Sequence, residues 1–139
     1  MSGMLIVNRD ITKIFLANHT SQKVTYTNST GSTVNILAGR LMGRITIGQK
    51  VLPYVSTATD GSQQPVGVAM DDYTVANGVT ITMTICDGGE VAEEKIILAG
   101  AETLSTVITD DVSIRSAIER NTHIKLRPST DMSGPYDNQ

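Results

Sequence analysis

Val79-Thr80-Ile81-Thr82-Met83-Thr84-Ile85 is the stretch that decides the fold. Val79, Ile81, Met83 and Ile85 alternate strictly with Thr80, Thr82 and Thr84. A period of two sends one side chain set into a core and leaves a hydroxyl-lined face opposite. Asn77-Gly78 before it and Asp87-Gly88-Gly89 after it are turn signals. Residues 90–98 are therefore expected to return as a second strand.

The same short-strand grammar runs upstream. Val24 and Tyr26 alternate with Thr25 and Thr27, and 28–32 (Asn-Ser-Thr-Gly-Ser) reads as a turn leading to Val34 and Ile36. Leu41, Gly43, Ile45 and Ile47 share one face, with Met42, Arg44 and Thr46 on the other. Gly48-Gln49-Lys50 turns the chain into a strand at 51–55, which Pro53 marks as an edge or bulged strand because it lacks an amide proton. A polar loop with Asp60-Gly61 follows, then Val66-Gly67-Val68-Ala69-Met70. Near the end the period changes. Asp110 and Asp111 are placed to cap a short helix with Ile114, Ala117 and Ile118 on one stripe and Asn121 at its exit. Ile124 and Leu126 suggest a last strand. The expectation is a mainly β protein, a small β-barrel or β-sandwich-like domain of seven or eight strands with one short C-terminal helix.

Composition narrows the function classes. The 139 residues make one ordinary domain, large enough for a core of its own. Charged residues are 18% of the chain, below the roughly 25% of soluble domains, which suits surface that meets other protein. A net charge of −3 with 11 scattered basic residues argues against nucleic acid as a partner. No apolar run is long enough for a membrane span, and Arg9, Asp10 and Lys13 interrupt any signal-peptide core. The single Cys86 offers no intrachain disulfide.

Candidate chemistry is sparse. His19 and His123 are the two histidines, and neither has a metal-ligand spacing to another His or to Cys86. Both read as surface residues. Cys86 ends the threonine-striped strand and reads as a small buried apolar side chain. The acidic pairs 71–72, 93–94 and 110–111 lack the alternating oxygens of a calcium loop and read as turn and cap residues. The glycines form neither a phosphate loop nor a dinucleotide fingerprint. No catalytic residue, metal ligand or cofactor is expected.

Ala38-Gly39-Arg40-Leu41-Met42-Gly43-Arg44-Ile45-Thr46 resembles the opening motif of phage head decoration proteins, the lambda-like trimeric capsid cement family. The order that follows is similar to theirs: Pro53-Tyr54-Val55, Thr59-Asp60-Gly61, then Pro65-Val66-Gly67-Val68-Ala69, with a helix–strand pair from Ile114 to Leu126. The resemblance covers 34–126. It implies a homotrimer on the outer surface of the head at local threefold positions, bound to the major capsid protein and stabilising the shell. It also implies assembly in the host cytoplasm, with no enzymatic activity.

By that analogy 1–21 is an N-terminal arm, 22–128 the decoration domain and 129–139 a flexible tail. The arm's apolar clusters Met4-Leu5-Ile6-Val7 and Ile14-Phe15-Leu16 are the expected capsid-binding residues. The alternative is a tail or head-fibre adhesion module binding host-surface carbohydrate. The absence of Trp and the presence of only four Tyr disfavour it, since sugar platforms stack on exposed rings.

Overall fold

The computed structural model describes residues 14–45, 50–109 and 112–128. Along the chain lie β1 (Phe15–Thr27), β2 (Val34–Ile36), β3 (Leu41–Arg44), β4 (Val51–Pro53), β5 (Pro65–Ala69), β6 (Tyr73–Val75) and β7 (Thr80–Ala92). A 3-10 turn at Glu93–Lys95 precedes β8 (Val107–Thr109), β9 (Val112–Ser113), α1 (Ile114–Asn121) and β10 (His123–Arg127). The protein is mainly β with one short helix near its C-terminal end, as the strand periods indicate.

The threonine stripe is the first half of β7, on which the sheet is built. The six-stranded sheet runs β1-β7-β5-β3-β4, and β10 adds to β7 in parallel. Thr80 and Thr82 face solvent while Met83 and Ile85 are buried, as the alternation requires. Val79 precedes the strand and stays 42% exposed.

Neighbouring residues on the central strands enter different cores. Leu41, Val68 and Cys86 join one buried cluster, and Met42, Ala69 and Ile85 join the other. That is the mark of a sheet covered on both faces. One face is closed by Ile114 and Ile118 of α1 together with Ile124, Leu126, Ile14 and Phe15. The other is closed by the β2–β6 ribbon through Ile36 and Val75, with Tyr26 and Val51. Each such aliphatic side chain contributes about 1.5–3 kcal/mol on burial.

Three expectations are corrected. Asp87-Gly88-Gly89 does not turn the chain: β7 runs through it to Ala92, and no returning strand spans 90–98. Gly89 has φ +100, and a Cβ there would lie 2.6 Å from the Asn18 carbonyl oxygen. The glycine serves close approach of β1, whose register shifts between Phe15 and Ser21, and not a reversal. The helix cap is Ser113, whose Oγ accepts from the Ser116 amide at 3.2 Å. Asp110 and Asp111 lie outside the described residues.

The third concerns the arm boundary. Phe15 pairs with Val91, and the Ala92 amide donates to the Ile14 carbonyl at 2.7 Å. Ile14 and Phe15 are buried, because their apolar side chains fill the face beneath α1 and β10. Residues 14–21 thus belong to the sheet rather than to a free arm. Residues 1–13 and 129–139 lie outside the described residues.

Candidate functional site

The polar groups that sequence reading singled out are occupied in building the domain. Cys86 is fully buried and its Sγ donates to the Gly88 carbonyl at 3.0 Å; burial pushes the thiol pKa up. Asp72 accepts from the Ala38 amide at 2.8 Å. Glu93 pairs with Arg115 at 2.7 Å, which ties the 3-10 turn to α1. His19 lies edge-on to Phe15, ring centroids 5.5 Å apart, and His123 opens β10 on the exposed surface. Among the described residues no group of three or more His, Cys, Asp or Glu side chains is placed to hold a metal ion.

A buried polar cluster ties the loop after β4 to the segment before β8. The Ser56 amide donates to Glu102 Oε2 at 3.0 Å, and the Ser56 hydroxyl donates to the same oxygen. Tyr54 lies beside it, fully buried, and its hydroxyl has no hydrogen-bond partner. Burial, reinforced by the Glu102 charge, pushes the Tyr54 phenol up to about 12. Arg40 donates from its guanidinium to the Leu41 and Ile97 carbonyls, and burial lowers its pKa. This cluster fastens loops together.

The prominent concavity is an open groove of about 910 Å³ where the two ends of the sheet come together. β1 and β4 end the strand order, yet Lys50 Nζ donates to Thr27 Oγ1 at 3.0 Å across the seam between them. Tyr26, Val34, Leu52, Pro53, Val55 and Ala58 supply its apolar lining. Lys50 and Asp60 are its charged members. Hydrogen bonds from the Ser62 hydroxyl (2.6 Å) and amide (2.9 Å) hold Asp60 below the usual carboxylate range. The single ring in the lining, Tyr26, is only 1% exposed and gives a sugar no face to stack on.

Of the residues expected in a binding arm, Ile14 and Phe15 are core and Leu16 is half-buried in β1. Met4, Leu5, Ile6 and Val7 lie outside the described residues. The groove was not among the expected sites. Its one signal in the sequence was Pro53, which does mark an edge strand.

What these features define is a small β domain that offers a two-ended sheet and an open apolar seam, surface suited to protein contact. The family model of the bacteriophage lambda head decoration protein D matches residues 8–114. The chain belongs to that family, and with it to the structural proteins of the phage capsid. Comparison with curated proteins finds no match.

Proposed function

We propose that the protein is a cement for the phage head: it binds the outer surface as a homotrimer at local threefold positions and holds the shell together through the major capsid protein. The observation that carries this reading is the family match over 8–114, which spans nearly all the strands described above. A trimer adds avidity, so each protomer can bind weakly through a modest surface and the assembly still holds.

The grip is assigned to the residues that precede the sheet. β1 begins at Phe15 with Ile14 already in the core, so residues 1–13 carry the arm, with Met4, Leu5, Ile6 and Val7 as its apolar contact. An extended apolar segment of this kind suits addition to a strand edge of a partner. Co-sedimentation with purified, expanded heads tests it. Removing residues 2–13 is expected to abolish head binding while the circular dichroism of the domain is retained. Undiminished binding by the shortened protein refutes the arm.

A further inference from the structure

The seam groove and the β8–β9 hairpin are unlike patches on different sides of one protomer. The groove is lined by Tyr26, Val34 and Leu52, which belong to or pack on the cluster beneath the β2–β6 ribbon. The hairpin stands on the other side: Ile108 packs on the cluster beneath α1, and the Ile114 amide donates to the Thr106 carbonyl at its base. Strand alternation turns Val107 away from that core. It is 61% exposed, the most exposed of the large apolar residues described. Both patches also sit on strand edges. β4 ends the sheet order, and β8 pairs with β9 alone among the described residues.

We propose that copies of this chain join head to tail, with Val107 of one copy seated in the β1–β4 seam groove of the next. This rests on the trimeric reading above and names its contact. A cyclic trimer must join two different patches on every protomer, whereas a twofold dimer joins one patch to itself. The protomer supplies such a pair, one concave and one convex. The match is also one of chemistry: 107–109 and 112–113 carry no charge, and they meet a groove whose charges are confined to Lys50 and Asp60.

Sedimentation of the full chain tests the contact with Val107→Glu on the hairpin and Thr57→Arg, an exposed residue of the groove lining. Circular dichroism checks that both fold. Each is expected to weaken association about tenfold or more, as loss of an interface anchor does. In the double variant Val107→Cys with Thr57→Cys, mild oxidation is expected to give covalent species that stop at the trimer. Cys86 is buried and stays out of the exchange. A wild-type trimer whose variants remain trimeric and do not crosslink overturns this contact and leaves the trimeric reading standing. If those trimeric variants also lose head binding, the groove belongs to the capsid protein and the proposal is again overturned. A wild type that is monomeric both in solution and on heads overturns the contact and the trimeric reading together.

Discussion

Asn28 Nδ2 donates to the Val75 carbonyl at 2.8 Å, joining the end of β1 to the end of β6 across 47 positions of sequence. The same amide nitrogen donates to the Ser32 carbonyl at 2.7 Å, and Oδ1 accepts from the Thr30 amide and hydroxyl. Asn28 is fully buried, so its side chain replaces the water that these loop groups would otherwise need. It is the tie that holds the β2–β6 ribbon over the second core.

Replacing Asn28 with Ala therefore leaves a buried carbonyl unsatisfied and is expected to cost about 2–4 kcal/mol, from the 1–3 kcal/mol of one orphaned group plus the lost loop bonds. Asn28→Asp keeps the shape but points a carboxylate at two carbonyls. It should destabilise more at pH 7 than at pH 4, where protonation restores a donor. Urea unfolding at the two pH values measures both. An Asp variant as stable as wild type at pH 7 contradicts the tie.

Gly89 and Gly31 separate steric contact from conformational strain. Both have positive φ, +100 and +94, but a Cβ on Gly89 meets backbone of Ala17 and Asn18 while one on Gly31 meets nothing within 4 Å. Gly31→Ala is expected to cost about 1–2 kcal/mol, the strain of the left-handed conformation alone. Gly89→Ala should cost more, because β1 must move off β7. Equal losses in the two unfolding midpoints contradict the close approach at Gly89.

Tyr54 sets the alkaline limit. Its folded pKa is raised to about 12 from the ordinary 10, so the folded state holds the proton more tightly than the unfolded chain. The resulting stability is fully present below pH 10 and is lost as the pH rises towards 12. Two units correspond to about 2–3 kcal/mol. Tyr54→Phe removes both the titration and an unpartnered buried hydroxyl, and should match or exceed wild-type stability while flattening its decline above pH 10. A steep decline retained in the Phe variant assigns the effect elsewhere.

Phe15 distinguishes core from arm. It packs with Val91 and Leu126 in the cluster under α1. Phe15→Ala is expected to cost about 3 kcal/mol or more in thermal or urea unfolding, as large-to-small core substitutions do. A variant of unchanged stability that fails only in head binding returns Phe15 to the arm.

The features legible in the sequence are those with a local period. The threonine stripe of β7 and the Ile114, Ala117, Ile118 stripe of α1 place their side chains from spacing alone. The family motif around Ala38–Thr46 likewise reads from residue order, and it gave the capsid role. Gly88-Gly89 read as a turn because a glycine pair has the same local signature whether it reverses a chain or admits a neighbour. Only the approach of β1 decides which. Asn28 lay in a run of polar turn residues, and nothing local distinguishes a buried amide from an exposed one. Ile14 and Phe15 formed an apolar cluster too short to show a strand period, so they were assigned to a partner's surface when their own sheet needed them. The groove is made where β1 meets β4, and a contact between distant segments leaves no trace in either one beyond Pro53.

The most direct test of the central claim is a cryo-EM reconstruction of expanded phage heads with and without the purified protein. The account predicts added density on the outer surface at the local threefold positions, three copies to each, and heads that withstand heating or chelation better than bare ones. Heads with no added outer density at saturating protein contradict it.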